Sequence, residues 1–278
     1  MPTQETYERF LPRRYEYRRG FLCGKEAKSV KKHSSVWVFL SLIALWEAYV
    51  RLAAVPGYVL PAPSAVMTAL ITGIPALLPH MLVTVGEALS GMLIALVLAL
   101  FLGIAMDAFP VVRRSLYPIL VVTQTVPMIV LAPILIIYLG FGLAPKILTV
   151  VLMCFFPVAV SFTDGMRAID PAYAHLVRGF GASPWQTYRL VKIPYALPSL
   201  FSGLKVAATY SISGAVVGEW IGAQQGLGYY LLHVKNSYAL DKMFACVVLI
   251  VFLSILMNSG VRLLGQAWMP YLKRKKEI

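Results

Sequence analysis

The sequence predicts an all-α membrane protein: six transmembrane helices, with a helical hairpin projecting between the fourth and fifth. Three observations carry this expectation. Of the 278 residues 59% are hydrophobic and 13% charged, with mean hydropathy +0.74, whereas an ordinary soluble domain is about 45–50% apolar and about 25% charged. Apolar runs recur at about 36–52, 81–106, 117–139, 143–163, 197–221 and 243–264, which assigns residues 36–267 to a membrane domain. The formal charge of +13 is gathered at the ends of those runs, so no soluble basic domain exists that would hold nucleic acid.

Residues 1–35 form a basic segment with Arg13, Arg14, Arg18, Arg19, Lys25, Lys28, Lys31 and Lys32. It reads as a cytoplasmic tail held near anionic lipid. The first apolar run is interrupted by Glu47 and Arg51 and has a long basic lead, which favours an uncleaved first span over a secretory signal. Residues 53–80 are apolar but contain Pro56, Pro61, Pro63, Pro75 and Pro79. The expectation there is a loop with a short helix after Pro63-Ser64, lying along the outer surface. The run at 117–139 contains Pro118, Pro127 and Pro133. Proline in a membrane helix frees carbonyls and bends it, so this span either lines a pathway or is kinked only for packing.

With the N-terminus inside, the inner segments hold the basic tail, Arg113-Arg114, the cations of the 164–196 loop and the basic C-terminal tail, 268–278, while the outer ones hold Arg51, Lys146, Lys235 and Lys242. That imbalance obeys the positive-inside rule and places both termini and the 164–196 loop in the cytoplasm. Within that loop Asp170 precedes Pro171, and Ser183 precedes Pro184 with Gln186 three residues on. These are two helix starts, the second a capping box. Tyr173, Leu176, Val177 and Phe180 share one helical face. Gly179 and Gly181 bracket the break, where positive φ is expected. Ile193-Pro194 and Leu197-Pro198 are expected to end the second helix and begin the fifth span. Capping signals are frequent in any inter-span loop, so local physics leaves a plain connecting hairpin equally open.

The loop also resembles a known family. Gly181, Val191, Ile193 and Pro194 match the Gly, Ile, Leu and Pro positions of the cytoplasmic loop in permease subunits of bacterial type I ABC importers. Gly181-Ala182-Ser183-Pro184-Trp185-Gln186 is similar to the form found in the sulfonate, taurine, nitrate and thiamine-precursor branch. His175, Leu176 and Val177 stand where the family has Glu and two Ala, so the family's acidic contact is missing. The resemblance, over about 36–267, implies a permease fold in the bacterial inner membrane that works as a pair, most simply of two identical copies, with two ABC ATPase subunits bound inside and an extracytoplasmic solute-binding protein outside. It implies that His175, Gly181, Ala182, Ser183, Pro184, Trp185, Arg189, Ile193 and Pro194 couple to the ATPase. Closure of the ATPase pair on ATP would then turn the spans from inward-open to outward-open, and hydrolysis would reset them.

No nucleotide site is evident in this chain, so ATP and Mg are expected in the partner and no cofactor here. The nearest string to a phosphate-binding loop, Gly140 to Ile147, has Pro145 for the second Gly and no hydroxyl after Lys146. Cys23, Cys154 and Cys246 lack zinc spacing, and no His pair or hydrolytic constellation appears. The chain is therefore not expected to be an enzyme. Gln124, Pro127, Tyr210 and Ser213 either bond across helices or line a path. Glu219, in a Gly-Glu-Trp-Ile-Gly-Ala stretch followed by Gly226-Leu227-Gly228, resembles a family motif and is either an outer gate or docking element, or a carboxylate hydrated at the interface. Glu47 and Glu87 read as packed or snorkelling carboxylates. Gln124 to Pro127, Asp164-Gly165 and Ser202 to Ser211 look most like thiamine-pathway pyrimidine importers, with sulfonate, taurine and nitrate permeases close behind. A secondary transporter or channel would require a charged pair deep in the core, which the sequence does not reveal.

Overall fold

The computed structural model describes residues 24–269. Its helices are α1 (Gly24–Leu52), α2 (Pro63–Ala108), α3 (Pro110–Thr123), α4 (Met128–Leu139), α5 (Leu143–Arg167), α6 (Pro171–Gly179), α7 (Pro184–Thr187), α8 (Ile193–Glu219), α9 (Leu227–Asn236) and α10 (Leu240–Trp268), with a π-helical turn, Tyr188–Lys192, joining α7 to α8. Of the tail expected over 1–35, residues 1–23 lie outside the described residues and 24–35 belong to α1. The C-terminal tail from residue 270 also lies outside them.

Two compact units divide the chain, 1–64 and 65–278. In the first, the expected span 36–52 is helical. Its Glu47 carboxylate accepts from the Ser64 backbone N–H (3.0 Å) and hydroxyl (2.8 Å) and pairs with Arg51. Glu47 is thus neither merely packed nor snorkelling. It satisfies one of the free N–H groups at the start of α2.

Among the described residues, four helical runs are long and apolar enough to cross a membrane: Pro63–Ala108, Leu143–Arg167, Pro184–Glu219 and Leu240–Trp268; α3 and α4, bent by 106°, make a fifth if taken as one broken span, and α1, the expected first span, is not among them. Two expectations need correction here. The segment 53–80 is not a loop with a short surface helix, because residues from Pro63 onward join the second span in one helix of 46 residues. Pro75 and Pro79 lie inside it. Each proline removes only one helical donor, and helical order on both sides keeps the bend from becoming a break. At 1.5 Å per residue the helix is about 69 Å long, well over the roughly 30 Å of a hydrocarbon core. The 117–139 span, conversely, is more than kinked. Residues 124–127 leave the helix, with Pro127 extended (φ −63°, ψ 122°) ahead of α4.

α5 lies at the centre of the packing and meets α8 along its length, with α10 against the other side of α8. α2 presents Thr84, Ala88, Gly91, Ala95, Ala99, Gly103 and Met106 inward, a stripe of mostly small residues at heptad-like spacing. Small residues let membrane helices approach closely. A Cβ on Gly91 would lie 2.5 Å from the Val150 Cβ of α5, and one on Gly203 of α8 would lie 2.5 Å from the Pro157 carbonyl oxygen. The opposite face of α2, with Leu82, Leu93 and Phe101, is exposed, as lipid contact requires.

Candidate functional site

The 164–196 loop folds as an elbow. Asp170 caps α6 by accepting from the Ala172 N–H (2.9 Å). At α7 both halves of the capping box form: Ser183 Oγ accepts from the Gln186 N–H (3.2 Å) and Gln186 Oε1 from the Ser183 N–H (2.7 Å). Gly181 alone of the two glycines takes positive φ, +84°; Gly179 stays within α6. The helix does not end at Pro194 or Pro198 as expected. It runs from Pro184 to Glu219 through the π-helical turn, where the Ile193 N–H reaches back to the Tyr188 carbonyl. That wider turn leaves room for the Pro194 ring, which an α-turn would press against the carbonyl four residues back.

The elbow is clothed in apolar groups with nothing over them. Tyr173, Leu176, Phe180, Trp185 and Leu190 are all more than half exposed, Phe180 at 84%. His175, Gly181, Ser183, Pro184 and Arg189 are exposed among them, while Ala182, Ile193 and Pro194 are half-buried. The apolar face expected on α6 is therefore present and points away from the rest of the unit. At the elbow's base Asp107, near the end of α2, accepts from Tyr188 Oη (2.7 Å) and Lys192 Nζ (2.5 Å). Sequence reasoning missed Asp107. The signal was there: it is the only acid between Glu87 and Asp164, at a helix C-terminus, where a negative charge is disfavoured without a cation.

A cleft of about 430 Å³ opens where α3 gives way to α4. It is lined by Gln124, Val126, Pro127 and Met128, by Leu152, Met153, Phe156 and Pro157 of α5, and by Val206 and Tyr210 of α8. Three of the expected pathway residues, Gln124, Pro127 and Tyr210, thus meet in one place. Ser213 does not join them. It lines a separate groove of about 410 Å³ between α8 and α10, with Thr209, Ser254 and Asn258.

Glu219 lies elsewhere again, at the far end of α8, and is 1% exposed. Reading it as a carboxylate hydrated at the interface is therefore incorrect. Glu219 Oε2 accepts from the Gly228 N–H (2.6 Å) and Oε1 from the Thr84 hydroxyl (2.7 Å); Thr84 Oγ1 accepts from the Leu227 N–H (2.9 Å) and His80 Nδ1 from the Gly226 N–H (3.1 Å). Three side chains from α2 and α8 thereby satisfy the first backbone donors of α9, the arrangement a helix N-terminus favours. Gly226, at φ +117°, sits so close to the Glu219 carboxylate that a Cβ would overlap it, which accounts for the glycine. Nearby, Glu87 is buried and pairs with Lys146 (2.9 Å). Glu87 is therefore not snorkelling, and the membrane domain does contain buried charged pairs, Lys146–Glu87 and Lys192–Asp107. Asp107 sits at the C-terminal end of α2 and Glu87 near its middle.

Residues 91–269 match the family model for the binding-protein-dependent transport system inner membrane component. The chain belongs to this family. Among its relatives, a probable ABC transporter permease of Haemophilus influenzae is 35% identical over 77% of this chain and 87% of its own length. The formylaminopyrimidine transport permease ThiX of Halalkalibacterium halodurans is 32% identical over 85% and 95%, and the taurine permease TauC of Escherichia coli 30% identical over 85% and 89%. The fold is similar to that of the MetNI methionine ABC transporter (TM-score 0.62, 20% identity, 70% of this chain and 97% of that one). The family fits the geometry: this chain is the membrane-spanning component of a binding-protein-dependent ABC importer and forms its translocation pathway.

Proposed function

We propose that ATP is hydrolysed by separate ATPase subunits that bind the elbow, and that this chain itself holds no nucleotide or cofactor. The observation that carries this is the rigidly capped, uncovered apolar surface of Tyr173, Leu176, Phe180, Trp185 and Leu190, which is continuous through the π-helical turn with α8 and so with the cleft at Val206 and Tyr210. Exposed apolar groups of this number on one small motif need a partner surface. His175, Gly181 to Trp185, Arg189, Ile193 and Pro194 belong to the same contact region. Both termini and the elbow face the cytoplasm, and a second copy of the chain completes the pathway at Gln124, Pro127 and Tyr210. The extracytoplasmic binding protein meets the opposite side, where Glu219 positions α9.

The test is co-purification. The wild-type chain should retain an ATPase subunit through solubilisation, and Trp185→Asp with Leu190→Asp should release it while membrane insertion is unchanged. Full retention by the double variant would refute the assignment.

For the substrate, the cleft offers an amide (Gln124), a phenol ring (Tyr210) and thioethers (Met128, Met153). This lining suits an uncharged heteroaromatic solute, which can stack on the ring and bond to the amide. With the similarity to ThiX, it favours a thiamine-pathway pyrimidine. The similarity to TauC supports taurine, sulfonate or nitrate as the second reading. Uptake of labelled formylaminopyrimidine, unaffected by excess taurine, is the result expected. Taurine uptake alone would establish the second reading.

A further inference from the structure

The structure ties α2 to the run of π-helical turn and α8 at two levels, one near the C-terminal end of α2 and one near its middle. At the inner end, Tyr188 Oη and Lys192 Nζ converge on one oxygen, Oδ2 of Asp107. At the far end of α8, Glu219 bonds to Thr84 from the middle of α2 (2.7 Å). The two ties are 23 residues apart on α2, about 34 Å at 1.5 Å per residue, so they bracket the thickness of a bilayer core. Between them, α5 is fitted against both helices at glycine notches, Gly91 against Val150 and Gly203 against Pro157 and Ser161. Close-packed small-residue contacts of this kind resist sliding.

The inner tie is built as a directional contact. Lys192 Nζ lies 4.8 Å from the centre of the Tyr188 ring while it pairs with Asp107, so the cation is held from two sides. The side chains of Asp107 and Lys192 are only 6% and 19% exposed; water screens such a pair little. Tyr188 and Lys192 reach the same acceptor from within the π-helical turn, the one irregular turn between the elbow and the pathway helix. An irregular turn is where a pushed helix would yield. Asp107 closes that turn onto α2.

We propose that Asp107 is a positioning residue for energy coupling: it clamps the π-helical turn so that a push on the elbow moves α2, α5 and α8 as one rigid body instead of being absorbed as bending at residues 188–192. The proposal rests on the elbow being the ATPase contact. It gives Asp107, Tyr188 and Lys192 a role distinct from docking, because none of them belongs to the exposed apolar surface.

The test uses the importer purified with its ATPase, in a background without native cysteines, with spin labels at Phe101 of α2 and Val206 of α8, both exposed, on a chain diluted with excess unlabelled chain so that only the distance within one copy is read. Distances are measured without nucleotide and after trapping with Mg-ATP and vanadate. The wild type should give one narrow distance, unchanged between the two conditions. Asp107→Asn should retain the ATPase and hydrolyse ATP within about twofold of wild type, while its distance broadens and shifts on trapping; the exchange Asp107→Lys with Lys192→Asp should restore the narrow distance, as reciprocal replacement of a coupled pair does. Two results would overturn the proposal. One is an Asp107→Asn distance as narrow and constant as wild type. The other is loss of the ATPase from Asp107→Asn with no recovery in the exchanged pair, which would make the residue merely structural. If the wild-type chain itself retains no ATPase, the elbow assignment fails first, and that outcome is read separately from the distances.

Discussion

At the scale of single residues, the elbow depends on two positions whose chemistry can be isolated. Gly181 has φ +84°, and a Cβ there would meet nothing within 4 Å. Any penalty for substitution is therefore backbone strain alone, about 1–2 kcal/mol for an L-residue in the left-handed region and greater for a β-branched one. Gly181→Val should leave membrane insertion intact but lower ATP-driven uptake by distorting the join of α6 to α7. Wild-type uptake by that variant in reconstituted vesicles would show that the join does not matter. Thr84 is the second test. Its buried hydroxyl accepts from Leu227 and donates to Glu219, so Thr84→Val, which has nearly the same shape, strands a donor on one side and part of a carboxylate on the other. A loss of about 1–3 kcal/mol is expected, seen as a lower melting temperature and as faster amide exchange at Leu227. Unchanged exchange there would mean that α9 is held by other contacts.

At the scale of elements, glycine placement separates packing from propensity. A Cβ on Gly203 would fall 2.5 Å from the Pro157 carbonyl oxygen and 2.7 Å from the Ser161 Cβ, whereas one on Gly179 in α6 would meet nothing within 4 Å. Gly203→Val should force α5 and α8 apart and cost about 1–3 kcal/mol. Gly179→Ala should stabilise α6 by roughly 0.5–1 kcal/mol. Thermal unfolding in detergent for the first and protease resistance of the elbow for the second measure these effects, and opposite signs are the expected outcome. The same contrast explains which elements the sequence revealed. Caps at Asp170 and Ser183, the turn at Gly181 and the apolar face of α6 depend on neighbours within a few residues, and all are found. The π-helical turn, the 106° break at 124–127 and the continuity of α2 through Pro75 and Pro79 depend on what packs against each proline. A proline in the sequence signals a perturbation of the helix without fixing whether the chain bends, widens or breaks. Asp107 and Glu219 were hard to place for the same reason, since their partners lie 81 and 135 residues away in the chain.

For the whole molecule, the feature to test is a polar face that lipid suits poorly. Along α8, Ser202, Val206, Thr209, Tyr210 and Ser213 are exposed and recur at spacings of three and four residues, so they form one stripe. The cleft at Gln124 and the groove at Asn258 flank it on either side. The Ser202 and Thr209 hydroxyls donate to carbonyls of their own helix and the Asn258 amide donates to Thr209, so the cost of facing hydrocarbon falls on the Tyr210 phenol and the Ser213 hydroxyl, which water or another protein surface would satisfy. The stripe should therefore lie at the junction of two copies and border the aqueous path between them. Two measurements follow for a single cysteine at Ser213 in a chain otherwise free of cysteine. An oxidant should link two copies through it, and a membrane-impermeant thiol reagent should reach it faster or slower when Mg-ATP and vanadate are added, because the path changes side. A cysteine at Trp185 in the same vesicles should react only from the cytoplasmic side. A Ser213 cysteine that neither cross-links nor reacts, and that a lipid-soluble reagent modifies readily, would place the stripe against lipid and remove the reason for a second copy.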